Sequence, residues 1–388
     1  MEHTGQRTIL LPMYHGVRAK NFFYTDTYKT LVSDPNLHLV IVVPPHKLEY
    51  YRSVFREPNV WFEPLDIDLA KEPLFGKLLS ELAFNLLDTD TIRFKQLLQY
   101  WQYGNFPRLL LKRMLNRVLG PITSLRSLIR FLDRLVPPDK NIIALFQKYH
   151  PTLLLAPDIV FPMDRLFLRA ARTYGCYTIG LMRSWDNITA KGVIQILPAK
   201  LILHTTRMKK QAAQLVGMPE EDIMVTGPPD FDDYFKPMKV TREEFLMHLG
   251  IPASRRVVLF TPFFDAYIKP AAIIMKALLA AIDQGRLPKD LHVLLRYRPG
   301  ITKIPPVFSE KHPHLTITYP TRKYFYKEID GRERIIDWEF ASEDVDLLAQ
   351  SVYYSNVMIT TVSTLTIDSA AIDRPVIGIR FDAIPHCS

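Results

Sequence analysis

Two hydrophobic patterns alternate along this chain. Short runs such as TILLPMY (8–14), LHLVIVVP (37–44), NVWFEPL (59–65), TLLLAP (152–157), CYTIGLM (176–182) and KLILHT (200–205) are apolar almost throughout. They have no polar face, which predicts strands buried on both sides of a parallel sheet. Between them lie stretches with apolar residues at helical spacing, among them FFYTDTYKTLVSD (22–34), HKLEYYRSVF (46–55), NIIALFQKYH (141–150) and TRMKKQAAQLVG (206–217). A further helix should begin near Pro162 and stop at Gly175, because proline suits a first turn and glycine the left-handed position past a last one. DIMVTGPPDFDDYF (222–235) closes this half with a strand and a proline-rich exit.

The pattern restarts at TREE (241–244), a capping box. RVVLFTP (256–262), a helix from Pro270 to Gly285, HVLLRYRP (292–299) and LTITYP (315–320) follow. The basic TRKYFYKEIDGRER (321–334) reads as irregular, and Ser342 as the cap of the helix EDVDLLAQSVYYS. Strand, hydroxyl-rich turn, helix and strand complete the half in VMITTVSTLTIDSAAIDRPVIGI (357–379). The predicted fold class is therefore α/β: two facing Rossmann-like, doubly wound domains, 1–235 and 239–388, joined by a proline-rich linker. A helical insert at about 75–135 interrupts the first.

Composition narrows the partners. At 388 residues, 48% hydrophobic and 23% charged, the chain reads as a folded globular protein. No apolar run reaches the ~18–20 residues of a spanning helix. Two cysteines fit a reducing compartment, the cytoplasm. The net charge of +9 favours anionic partners. Nine basic residues between 93 and 134 face only Asp133, and leucines separate them at helical spacing. Two readings stand for this insert: core-packing helices with a basic outer face, or a surface resting on anionic lipid at the inner face of the cell membrane. No nucleic-acid-binding motif is present, so nucleic acid is not an expected partner.

Ligands of doubly wound sheets bind beyond the carboxyl ends of the strands, which directs attention to the loops there. A helix opening at Ser363, Thr364 and Leu365 would offer backbone N–H groups and hydroxyls to a phosphate. Asp368, four residues on, would reach a ribose; the plain alternative is a capped core helix. MRSWDNITAKG (182–192) sets Trp185, Asp186, Asn187 and Lys191 in one turn. His15, Gly16, Arg18 and Lys20 follow the first strand, where His15 reads as a base, an acceptor-orienting group or a turn residue. Arg18 and Lys20 would suit an anionic ligand. Thr261 and Asp265 lie after another strand, and Arg298 rather than Arg296 is the strand-end cation expected to meet a diphosphate.

STLTIDSAAIDRPVI (363–377) resembles the donor-binding segment of GT-B glycosyltransferases, and EEDIMVTGPPDFD (220–232) resembles their inter-domain connection. The Trp-led loop is similar to the W-H-G-T-x-x-K loop of the related CDP-glycerol glycerophosphotransferases, with Asp186 in the histidine slot. The resemblance implies a glycosyltransferase that moves a sugar from a nucleotide-sugar donor to a carbohydrate or lipid-linked acceptor in surface polysaccharide or glycolipid synthesis. It implies that residues 363–365 hold the diphosphate and Asp368 the ribose. With Asp186 or His15 as base, neither cofactor nor metal is expected. The alternatives are a CDP-glycerol-type glycerophosphotransferase, a nucleotide-sugar 2-epimerase, and a non-catalytic nucleotide-sugar-binding protein. The first is weakened by the missing histidine, the second by the lack of a Gly-x-Arg-Pro-Glu-like start after strand one. The chain stops at FDAIPHCS, where members of the family continue with further helices, so a shortened donor domain is expected.

Overall fold

The computed structural model describes residues 7–262, 268–297, 311–320, 322–329, 332–361 and 363–379. The chain forms two compact units, one ending at Pro229 and the other starting at Asp230. Arg298 and Asp265 lie outside the described residues.

The first unit runs β1 (Arg7–Pro12), α1 (Gly16–Phe23), α2 (Asp26–Ser33), β2 (Leu37–Val43), α3 (Leu48–Val54) and β3 (Val60–Pro64). The insert follows as α4 (Leu74–Leu86), α5 (Asp90–Tyr103), α6 (Phe106–Leu119) and α7 (Thr123–Asp133). Then come α8 (Lys140–Tyr149), β4 (Leu153–Ala156), α9 (Pro162–Tyr174), β5 (Tyr177–Leu181), α10 (Asn187–Ala190), β6 (Lys200–Leu203), α11 (Thr206–Gln211) and β7 (Ile223–Val225). The seven strands form one sheet in the order β3-β2-β1-β4-β5-β6-β7, every neighbouring pair parallel. Strand side chains alternate between its faces. Leu10, Val40, Val42 and Leu154 pack with Phe146 and Phe167, while Ile9, Leu11, Leu39 and Ile41 pack with Phe22, Phe23 and Tyr51. Both faces are thus covered, which is why these strands read as apolar throughout.

The second unit contains α12 (Arg242–His248), β8 (Arg256–Thr261), α13 (Ile268–Asp283), β9 (Leu291–Arg296), β10 (Leu315–Thr318), β11 (Arg322–Ile329), β12 (Arg332–Phe340), α14 (Ser342–Tyr354), β13 (Val357–Thr360), α15 (Leu365–Ala371) and β14 (Val376–Gly378). Its parallel sheet has the order β10-β9-β8-β13-β14. The TREE capping box is present in full, with Thr241 and Glu244 satisfying each other's backbone N–H groups. Two local expectations are corrected. Residues 322–329 and 332–334 of the basic stretch belong to an antiparallel pair, β11 with β12, whose aromatic and β-branched residues favour strand pairing over an irregular loop. Ser342 is the first residue of α14, and Ala341 sits at the cap with no side-chain bond.

Basic side chains tie the insert down. Arg126 donates to the carbonyls of Gln214 and Leu215, and Arg130 to those of Ile194 and Val216. Asp133 is fully buried and accepts from Arg169 and Arg172 of α9. Arg126 and Arg130 of α7 therefore reach inward instead of adding to a basic outer face.

Candidate functional site

Each sheet has one place where the winding direction reverses, and ligand sites of doubly wound folds collect there. In the first unit it lies between β1 and β4, and in the second between β8 and β13.

After β1 the chain turns into α1 with His15 as its N-cap. Its Nδ1 accepts from the Val17 N–H at 3.2 Å. An imidazole that accepts through Nδ1 carries its proton on Nε2 when neutral, so Nε2 is a donor rather than a base. Gly16, the first residue of α1, is buried. Arg18 does not stand open to an anion. It is 2% exposed, pairs with Asp164 at 2.9 Å and Asp158 at 3.6 Å, and lies over the Phe161 ring. This corrects its expected role: the guanidinium charge is already matched inside the fold.

Asp158 was not anticipated. It follows β4, beside β1 at the reversal, and is 1% exposed. It faces Arg18 and, at 3.4 Å, Arg183 from the end of β5, and its Oδ1 has no hydrogen-bond partner among the described residues. The only sequence signal was Pro157-Asp158 directly after an apolar run, and nothing local shows that this loop lies next to His15. Burial pushes the Asp164 carboxyl up to about 7, with Arg18 opposing and Asp158 adding to the rise. Burial raises Asp158 as well, against Arg18 and Arg183. A carboxyl whose folded pKa lies above its ordinary 3.8 contributes stability that is full below about pH 4 and lost as pH climbs through the folded value near 7. The melting temperature of the wild type, measured against Asp164→Asn, should therefore decline between pH 5 and 7.5. Two curves that stay parallel would count against this coupling.

The Trp-led loop follows β5. Trp185 is 52% exposed, and Asp186 is half-buried with Oδ1 accepting from the Ser184 hydroxyl at 2.6 Å. Asn187 is buried, and its Nδ2 finds no partner among the described residues. Lys191 is exposed. The insert holds this loop. Thr89 donates to the Thr189 carbonyl and Lys95 to that of Ala190, and burial and the charge of Lys191 lower the Lys95 pKa while Asp186 opposes them. Gly192 closes the loop at φ +86°, where a Cβ would lie 2.5 Å from the Phe84 Cα. Glycine is required there because α4 crosses directly over it. A cavity of about 50 Å³ beside Lys191 and Gln195 has room for water, not for a nucleotide.

In the second unit, β8 and β13 end side by side at Thr261 and Thr360. Thr261 is 4% exposed, and its hydroxyl and that of Thr361 are buried with no partner among the described residues. Beyond them Ser363 is half-buried and Thr364 exposed, so the start of α15 is not covered. Its amides are not free, however. The Leu365 N–H donates to Ser363 Oγ and the Thr366 N–H to the Ser363 carbonyl, both at 3.2 Å. Asp368 is also committed: it is 9% exposed and accepts from the Tyr234 hydroxyl at 2.9 Å. Its placement ties α15 to the segment after Pro229, a partner that the local sequence does not suggest. Arg296 is buried against Asp344 at 2.7 Å. Among the described residues no group of three or more His, Cys, Asp or Glu side chains is placed to hold a metal ion.

Known proteins give this geometry a context. Residues 199–384 match the family model of CDP-glycerol:poly(glycerophosphate) glycerophosphotransferase. An S. aureus MnaA–UDP co-structure has a TM-score of 0.52 at 13% identity, with 97% of this chain and 80% of that one covered. The UDP-GlcNAc 2-epimerase from Neisseria meningitidis bound to UDP-GlcNAc gives 0.52 at 10% identity, covering 96% and 82%. No curated protein matches the chain. At these identities the solved structures establish architecture alone. The chain accordingly has the GT-B fold of nucleotide-sugar enzymes, and its second half carries the likeness to the glycerophosphotransferase family.

Proposed function

We propose that this protein is a transferase that moves a glycosyl group from a nucleotide-activated donor to an acceptor hydroxyl, in the synthesis of a surface polysaccharide or glycolipid. The observation that carries the reading is the pair of buried, unpartnered threonine hydroxyls, Thr261 and Thr361, at the reversal point of the second sheet. They stand beside an uncovered helix start, inside the segment matched by the family model. Buried hydroxyls without partners are costly unless a ligand completes them. The donor's diphosphate would take its hydrogen bonds from these threonines, Ser363 and Thr364. Asp186 is the proton acceptor in this reading and Trp185 and Lys191 flank the acceptor, with no metal required.

A second reading has its own support. The family match favours a polyol phosphate carried by a cytidine diphosphate as the transferred group. A melting-temperature screen with CDP-glycerol and with UDP-, GDP- and dTDP-sugars separates the two. At one hundred times its Kd a true donor adds about 2.7 kcal/mol, roughly 5–10 °C in a unit of this size. A response to CDP-glycerol alone selects the second reading, and silence across the whole panel defeats both.

A further inference from the structure

The insert has a small apolar core of Ala83, Leu86, Leu87, Ile92 and Ile129, yet two of its helices also bury polar side chains and leave apolar ones outside. On α6 the buried side chains are Lys112 and Asn116, while Phe106, Leu110, Leu111, Met114 and Val118 are each at least half exposed. Asn116 spends its amide on the carbonyls of Asn85 and Leu87, and Lys112 pairs with Glu81 at 2.8 Å. On α5, Gln96 is buried beside Ile92, is 1% exposed and donates to Asn85 Oδ1. There Phe94, Leu98 and Trp101 point outward at i, i+4 and i+7. Leu74 and Leu78 of α4, and Leu128, Phe131 and Leu135 on and just past α7, continue the pattern at helical spacing. Sixteen of the thirty-one large apolar side chains left exposed among the described residues fall between 74 and 135, about a sixth of the chain. Scattered exposed leucines need no explanation, but stripes on four successive helices do. α6 packs on α4 and α5, and α4 on α7, so the stripes belong to one helical layer.

Charge says what covers that layer. Arg117 lies within the apolar arc of α6 and is exposed, as are Lys77 on α4, Arg108 on α6 and Arg134 at the end of α7. Asp133 is buried against α9 and offsets none of these cations at the surface, whereas Glu81 pairs with Arg108 and Asp88 and Asp90 with Arg93, so the net positive charge of the layer rests on Lys77, Arg117 and Arg134. A second copy docking by a twofold axis would set this patch against itself and bring like charges together. Among the described residues no helix is long and apolar enough to cross a membrane, and α4 to α7 have only 11 to 14 residues each. Short helices with apolar faces and arginines among them fit the interface of an anionic bilayer, with apolar side chains below the headgroups and guanidinium groups on the phosphates. We infer that the outer face of α4–α7 seats this protein on an anionic lipid surface. The inference is independent of the transfer reaction, since its readout is lipid binding.

The test is co-sedimentation of the full chain with vesicles of phosphatidylcholine alone or mixed with phosphatidylglycerol. Binding to the mixed vesicles should be at least tenfold stronger and should weaken as salt is raised. Leu110→Asp with Met114→Asp, at side chains 50% and 58% exposed, should abolish binding without lowering the melting temperature. Trp101 fluorescence should shift to the blue on mixed vesicles, and Trp101→Phe should remove that shift. Equal recovery in the supernatant with and without anionic lipid overturns the inference. So does vesicle binding that survives the double variant, or a dimer in solution that the double variant converts to monomer while vesicles bind neither form.

Discussion

Asp186→Asn is expected to lower turnover by about 10²–10⁴-fold, the range over which a positioned general base contributes, while the thermal shift produced by the donor stays unchanged. The expectation rests on the asymmetry of the two candidate bases. Ser184 occupies Oδ1 of Asp186 and fixes the carboxylate, so Oδ2 is the oxygen left to receive a proton. His15 is turned the other way, with Nδ1 engaged at the Val17 N–H and a proton therefore on Nε2. Asparagine keeps the shape and can still accept from Ser184, so folding and donor binding should persist. Measuring kcat and the donor-induced melting shift on the same preparation separates chemistry from binding. Turnover within tenfold of wild type would remove Asp186 from the base position. Loss of the donor shift along with turnover would make it a binding residue instead.

A large loss of stability is expected where the end of α7 meets α9. Asp133→Ala should destabilise the first unit by about 3–5 kcal/mol, the usual cost of stranding a buried charge. Asp133 has no exposed surface, and Arg169, which donates to it at 2.6 Å, is 1% exposed. Arg172 and Glu72 complete the network, Glu72 accepting from Arg165 and Arg169. Removing Asp133 leaves Arg169 with Glu72 at 3.4 Å as its remaining carboxylate. Replacing both partners, Asp133→Leu with Arg169→Met, should recover most of the loss, because two well-packed apolar groups carry no desolvation penalty. Urea unfolding followed by far-UV circular dichroism would measure both. A single variant that loses less than 1 kcal/mol would show that water reaches this network.

The two effects share an origin. Asp133 anchors the end of α7 to α9, and the insert in turn holds the Trp-led loop through Thr89, Lys95 and the crossing at Gly192. The helices whose outer face is apolar therefore also support the loop that carries Asp186.

Pattern alone determined the alternating elements, two doubly wound sheets and a helical insert, because a strand buried on both faces can carry hardly any polar residue and a covering helix must repeat its apolar positions every three or four. Capping chemistry at Thr241 and the stop at Gly175 were legible for a similarly local reason: each concerns a few adjacent backbone groups. Partners distant in sequence were not legible. Arg18 pairs with a carboxylate 146 positions away, and Tyr234 donates to Asp368 across 134. A charged side chain in a loop looks the same in sequence whether it awaits a ligand or neutralises a buried neighbour. Only the order of the strands, which brings β4 beside β1 and β13 beside β8, decided which of these groups were spent and which hydroxyls were left without a partner.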